Sequence, residues 1–193
     1  MWKSFIATRT SLAGVQKPCF VSHAVDFRTS ASQSPPYSES CIGNFVWFLA
    51  LAKCKDECGT ELDQLVGEIN KAIKKVDTEF VKQLEGESGF FKFREAVKGL
   101  QEEINKEAAD FLVFSSWFNF GLYKLDFGWG KPALATCAGV DQLSIYVNNV
   151  VLMETRDGDG MEAWVTLDEQ EMAVFECERE LLSFASVDHD GDH

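Results

Sequence analysis

Apolar residues between Trp2 and Thr8 recur at helical spacing from the first turn onward, with no Ser, Thr, Asp or Asn ahead of them to cap a helix start. That segment reads as the end of a helix. Cys19 to Phe27 alternates loosely and is rich in β-type residues, which predicts a strand. Thr29 to Cys41 contains Ser-Pro-Pro-Tyr-Ser-Glu-Ser, and tandem prolines suit neither a helix interior nor a central strand, so this stretch is a loop. Asn44 to Ala52 is a continuous apolar run of strand length, the pattern of a buried strand. Leu62, Leu65, Val66, Ile69, Ile73, Val76, Phe80 and Leu84 then fall three and four apart, which predicts one long amphipathic helix with Thr60 as its N-cap. Gly86 and Gly89 interrupt that stripe, and Phe93, Val97, Leu100 and Ile104 restart it as a shorter helix.

Phe111 to Ser115 is a short β-type run, and Asp126 to Pro132 reads Asp-Phe-Gly-Trp-Gly-Lys-Pro, a loop with two glycines and a closing proline. Two further strands are expected at Leu143 to Met153 and Met161 to Leu167, joined through Asp157-Gly158-Asp159-Gly160 as a hairpin. Asp168 with Glu171 makes a capping-box-like start for a last helix running to about Leu182, and the acidic tail Val187 to His193 frays. No internal repeat or linker divides the chain, so the pattern describes one domain over 1–193. Its class is α/β in the mixed α+β sense, a mixed sheet with flanking helices.

Composition narrows the partners. The 193 residues are 46% hydrophobic with 16 Phe and 5 Trp, enough for a packed core. A formal net charge of −13 repels phosphate backbones and anionic lipid, which argues against nucleic-acid and membrane partners while leaving room for an anionic co-substrate in a locally basic cleft. No apolar run reaches the roughly 18 to 20 residues that span a bilayer. The opening MWKSFIATRT has no secretory h-region. Six cysteines at 19, 41, 54, 58, 137 and 177 make no disulfide framework and fit reduced thiols in the cytoplasm. Cys54 and Cys58 lack the second Cys/His pair a zinc site needs, and Asp157 to Gly160 lacks the remaining ligands of a calcium loop, so no metal is expected.

Several blocks go beyond pattern. Asp126-Phe127-Gly128-Trp129-Gly130 is similar to the signature pentapeptide of the plant BAHD acyl-CoA-dependent acyltransferases. Ser115-Ser116-Trp117 with Tyr123 resembles the segment preceding it. Ala24-Val25-Asp26-Phe27-Arg28, Pro35-Pro36-Tyr37 and Gly43-Asn44 resemble the family's strand-loop segment, and Glu162-Ala163-Trp164-Val165 and Leu181-Leu182-Ser183 also look familial. The blocks cover nearly the whole chain in order.

The resemblance implies a chloramphenicol-acetyltransferase-like domain, the C-terminal one of two, with the active site in a channel between them. It implies an acyl-CoA co-substrate, no tightly bound cofactor, and an alcohol or amine acceptor from plant specialised metabolism. The family's general base is a histidine in an HxxxD motif of the N-terminal domain; none of the three histidines here (His23, His189, His193) begins HxxxD, and His23 with Asp26 is one residue short. Met1 directly before Trp2-Lys3, where family members continue a helix, suggests a truncated chain that needs the missing domain or another chain.

For the site residues, the resemblance gives Trp117 or Ser115 the role of donor to the carbonyl oxygen of the thioester; a core tryptophan with an ordinary hydrogen bond is the plain alternative. Gly43 and Asn44 line the coenzyme A side of the channel or form a simple loop-to-strand turn. Asp126, Phe127, Gly128, Trp129 and Gly130 form a structural loop, which the family staples to the sheet by pairing the aspartate with an arginine, here Arg28. Against the acyltransferase stands a catalytically silent domain that binds a ligand or a partner chain.

Overall fold

Five strands form one sheet in the order β2-β1-β3-β4-β5, from β1 (Cys19–Asp26), β2 (Val46–Cys54), β3 (Asp110–Ser116), β4 (Asn149–Glu154) and β5 (Met161–Thr166). The helices are α1 (Trp2–Ala13), α2 (Leu62–Lys74), α3 (Thr78–Lys82), α4 (Glu87–Glu107), α5 (Glu169–Phe175) and α6 (Arg179–Leu182), with a 3-10 turn at Leu122–Lys124. The computed structural model describes residues 1–28, 42–54, 61–136 and 148–187. The proline-containing loop, the Thr60 cap, Cys58, the first part of the strand expected from Leu143 and the acidic tail beyond Val187 lie outside the described residues.

The three central strands β1, β3 and β4 run parallel, while β2 and β5 pair antiparallel to the strands beside them. A parallel trio has its carboxyl ends at one edge, and the antiparallel pairing of Asp26 with Val46 brings the start of β2 to that edge too. Alternation decides the faces. Cys19 and Val21 of β1, Ala52 and Cys54 of β2, Leu112 and Phe114 of β3 and Val150 of β4 point one way, under Trp2, Phe5 and Ile6 of α1, Leu65 and Ala72 of α2, and Phe175 of α5. Lys53 points the other way and bonds Glu103 and Glu107 of α4 at 3.1 and 2.6 Å. A second cluster, Phe27, Trp47, Ala50 and Val81, joins the β1–β2 end to α3 and α4.

The mixed sheet with flanking helices, the β4–β5 hairpin and the Asp168 cap on Glu171 N–H at 2.8 Å are as the sequence predicts. In the hairpin turn the Thr155 hydroxyl donates to Asp159 at 2.9 Å and accepts from Gly160 N–H at 2.9 Å, with Gly158 at a left-handed φ of 73°.

Three helices differ from expectation. The apolar stripe from Leu62 to Leu84 is not one helix: Asp77, extended and accepting from Phe80 N–H at 2.9 Å, caps a new start and separates α2 from α3. Glu178 does the same to the last helix, accepting from the N–H groups of Glu180 and Leu181 and opening α6. Both breaks are side-chain caps hidden within continuous apolar periodicity. Conversely, only Gly86, with φ 71°, is a true interruption; Gly89 lies inside α4. A Cβ on Gly89 would stand 1.8 Å from the Leu84 carbonyl oxygen, so the position needs a close backbone approach rather than a helix stop.

α1 is tied to the sheet and to α5 by one side chain. Arg9 Nε and Nη2 donate to Asp110 Oδ1 at 2.9 and 2.7 Å, and Nη1 donates to Glu171 Oε1. Both carboxylates are buried against this one guanidinium, so removing it would leave them without an opposite charge. Arg9→Met keeps much of the stem and removes the charge. It should cost about 3 kcal/mol in urea denaturation, because two buried carboxylates lose their counter-charge. A cost below about 1 kcal/mol would mean that water or repacking compensates them.

Candidate functional site at the carboxyl edge of the sheet

In open sheets with parallel strands, ligands bind in the crevice beyond the strand carboxyl ends. β1 ends at Asp26, β3 at Ser116 and β4 at Glu154, and the residues singled out from sequence follow or border these ends. Arg28 lies two residues past β1, Ser115 and Trp117 sit at and just beyond the end of β3, and Gly43 and Asn44 lead into β2. The fold thus gathers Ser115, Trp117, Gly43, Asn44 and Arg28 at one edge of the sheet.

The Trp117 backbone N–H donates to the Leu152 carbonyl at 2.8 Å, extending the β3–β4 ladder by one bond and fixing the residue. Its ring is half-buried, and its indole N–H meets no acceptor among the described residues. This nitrogen is not buried, so water reaches it. Ser115, paired with Val151, is half-buried, and its hydroxyl likewise has no partner among the described residues. The Trp117 indole N–H and the Ser115 hydroxyl thus both lie without a protein partner among the described residues at the end of the central strand.

Gly43 has φ 145°, and a Cβ there would come within 3.0 Å of the Phe45 ring. Its carbonyl accepts from Arg28 Nη2 at 2.5 Å, and the Arg28 guanidinium lies 4.9 Å from the centre of the Phe45 ring. Exposed Asn44 lines an open cleft of about 320 Å³ with Phe27, Trp47, Leu84, Phe90 and Phe93 among its walls.

The Arg28–Asp126 pair expected from the resemblance is not formed. Arg28 Nη1 bonds Asp26 at 3.2 Å, while Asp126 Oδ1 accepts from Gly128 N–H at 2.7 Å and Gly130 N–H at 3.1 Å. Each group has taken a partner within a few residues of itself, where the cost of bringing the two together is small. The Asp-Phe-Gly-Trp-Gly loop is shaped by its own aspartate. Its Phe127 and Trp129 rings stack at 5.7 Å and are 68% and 84% exposed. Tyr123 closes the base of the loop, its hydroxyl accepting from Ala135 N–H at 3.2 Å.

His23, set aside on sequence because it starts no HxxxD motif, belongs to the same neighbourhood. It stacks on Phe114 with ring centres 5.4 Å apart, and burial lowers its pKa, so the imidazole is neutral at pH 7. It pairs with Phe114, one residue before Ser115, and so points to the opposite face from Ser115. The sheet separates the one described histidine from the Ser115 donor. A lone histidine in an apolar strand was the available signal. Among the described residues no group of three or more His, Cys, Asp or Glu side chains could hold a metal, and no helix is long and apolar enough to cross a membrane.

Comparison with known proteins first places the fold. The chain superposes on the crystal structure of vinorine synthase with a TM-score of 0.68 and 31% identity, covering 97% of this chain and 40% of that one. TRI101 of F. graminearum, solved with coenzyme A and deoxynivalenol, shares the fold at a TM-score of 0.54 and 19% identity. This is the chloramphenicol-acetyltransferase-like class expected from sequence. The chain belongs to the Transferase family, whose model matches residues 1–182. It is 39% identical over 176 residues to an epi-neemfruitin B 7-O-acetyltransferase of Melia azedarach, covering 91% of this chain and 38% of that protein. It is 36% identical over 187 residues to a limonoid 7-O-acetyltransferase of Citrus sinensis, covering 96% and 40%. The chain thus spans about 40% of the length of these relatives.

The rearranged partners of Arg28 and Asp126 make a measurable difference. In a double-mutant cycle, Arg28→Ala and Asp126→Ala should be additive within about 0.5 kcal/mol. Asp126→Ala alone should cost about 1 kcal/mol, the loss of two exposed loop hydrogen bonds. A coupling above about 1 kcal/mol would restore the direct pair.

Proposed function

We propose that this chain is the C-terminal part of a BAHD-type acyl-CoA-dependent acyltransferase acting in the plant cytoplasm on an alcohol or amine of a specialised metabolite. The observation that carries the reading is the open Trp117 indole N–H at the carboxyl edge of the sheet, in a chain whose fold and family are those of acyltransferases. Relatives named as O-acetyltransferases of limonoids support an oxygen acceptor and an acetyl-type donor. The structure of TRI101 with coenzyme A supports acyl-CoA as the co-substrate.

In the proposed reaction a histidine outside these 193 residues takes the acceptor proton, and the acceptor oxygen or nitrogen attacks the thioester carbonyl. Negative charge builds on the carbonyl oxygen as the carbon becomes tetrahedral. A donor fixed beforehand at that oxygen lowers the barrier without reorganising, and this is the role of Trp117, with Ser115 beside it. Collapse expels coenzyme A as its thiolate, which takes the proton from the histidine. Gly43 and Asn44, next to the open cleft, line the coenzyme A side of the channel. Asp126 to Gly130 shape a loop and take no part in the chemistry.

A second reading, a catalytically silent domain that binds a ligand or partner chain, rests on the lack of HxxxD in this sequence. The exposed Phe120, Phe127 and Trp129 give such a domain, or the complete enzyme, apolar surface to cover.

One experiment separates the readings. The purified chain should show no acyl transfer by itself, and co-expression with the N-terminal part of the Citrus limonoid 7-O-acetyltransferase should restore turnover. In the restored enzyme Trp117→Phe should lower kcat by about 10²-fold with little change in melting temperature. An unchanged rate with a lower melting temperature would make Trp117 a core residue. A failure of both the chain and the reassembled pair to turn over acyl-CoA, with the pair shown to associate, would favour the silent domain.

A further inference from the structure

Two buried cysteines that the proposed chemistry does not use are register partners across neighbouring strands. Cys19 opens β1, Cys54 closes β2, and the antiparallel register pairs them directly. Both are buried in the same cluster, so both side chains project from the same face of the sheet. Directly opposed residues of an antiparallel pair have Cα atoms about 4.5 or 5.5 Å apart, depending on their place in the ladder. A disulfide needs Cα atoms roughly 4.4 to 6.8 Å apart, a range that includes both spacings, and a small approach of the strands brings the Cβ atoms to the roughly 3.5 to 4.5 Å it also needs. Both cysteines are also strand-terminal, where a ladder opens most readily.

We propose that Cys19 and Cys54 are a cross-strand dithiol that a low-molecular-weight disulfide, of the glutathione disulfide type, closes to a disulfide stapling β1 to β2. The balance is that of two exchanges. One cysteine thiolate attacks the oxidant, forming a mixed disulfide and releasing one reduced thiol. The second cysteine thiolate attacks the protein-side sulfur of that mixed disulfide and releases the other reduced thiol. Two S–H bonds become one S–S bond, and the oxidant ends as two thiols.

The closed ring would span residues 20–53, the segment between the first strand and the end of the second, which contains Arg28, Gly43 and Asn44. In the closed fold exchange is slow. Burial pushes the Cys19 thiol up to about 12, outweighing the indole N–H of Trp2 that donates to its sulfur at 3.3 Å, so the thiolate forms mainly when the strand ends open. Under reducing conditions the pair is simply core packing; under sustained oxidation it becomes a covalent link between an edge strand and the sheet.

The test uses the full chain with Cys41, Cys58, Cys137 and Cys177 changed to Ser, which leaves only the two thiols in question. It is incubated with glutathione disulfide, once folded and once in urea, then alkylated and mapped under non-reducing conditions. The folded sample should give an intramolecular Cys19–Cys54 peptide in at least threefold higher yield than the unfolded one. Its melting temperature should rise by roughly 5 to 10 °C and fall back on reduction. Equal yields in the two samples, stable mixed disulfides, or thiols still free after prolonged oxidation would each overturn the proposal. If the fourfold variant loses its cooperative melt, the same mapping on the unmodified chain decides, and a linkage from Cys54 to Cys58 instead of Cys19 refutes it.

Discussion

The guanidinium of Arg9 between Asp110 and Glu171 is the contact on which the arrangement of this domain depends. Asp110 is the first residue of the central strand β3, and Glu171 lies in the first turn of α5. One side chain on α1 therefore fixes the first helix, the middle of the sheet and a late helix to one another. Water cannot take over this role easily, because both carboxylates are buried and would be left as uncompensated charges. Around that point the packing is apolar: Trp2, Phe5 and Ile6 of α1 and Phe175 of α5 lie over Val21, Leu112 and Val150 of the central strands. With α1, α2 and α5 holding one face, the central strands β1, β3 and β4 keep their parallel order and end together at one edge.

The residues proposed to act on the substrate lie at that edge. The Trp117 backbone is held by its bond to Leu152, while neither its indole N–H nor the Ser115 hydroxyl has a protein partner among the described residues. The proposed oxyanion role asks for a donor already held where negative charge develops. Arg28 holds the Gly43 carbonyl and lies over Phe45, so the entry to β2 has a defined shape next to the cleft. His23 shows how finely strand alternation divides such a site. It pairs with the neighbour of Ser115, yet it faces the other side of the sheet.

Much of this architecture was legible in the sequence because it is written in periods. Loose alternation gave β1, a continuous apolar run gave β2, a short β-type run gave β3, and clean alternation after the Asp-Gly turn gave β5 and the last hairpin. The capping pair Asp168 and Glu171 marked the start of α5. Two helix breaks were hidden because Asp77 and Glu178 act as caps inside stretches whose apolar spacing continues undisturbed. Gly89 misled in the opposite sense, since a glycine required by a close carbonyl resembles one that ends a helix. Arg9 gave no signal, as an ion pair between residues a hundred positions apart has no local pattern. The site residues came from family-like blocks rather than from periodicity. Of their expected contacts, the Arg28–Asp126 pair gave way to shorter-range partners.

The central claim is that the open indole donor of Trp117 meets the reacting carbonyl. The most direct test is a crystal structure of the reassembled two-part enzyme with a non-hydrolysable acyl-CoA analogue whose tetrahedral centre carries an oxyanion mimic. The account predicts Trp117 Nε1 at about 2.7 to 3.1 Å from that oxygen, with the coenzyme A chain passing Gly43 and Asn44. An indole turned away from the ligand and bonded to a protein carbonyl, with the oxyanion mimic held by other groups, would contradict it.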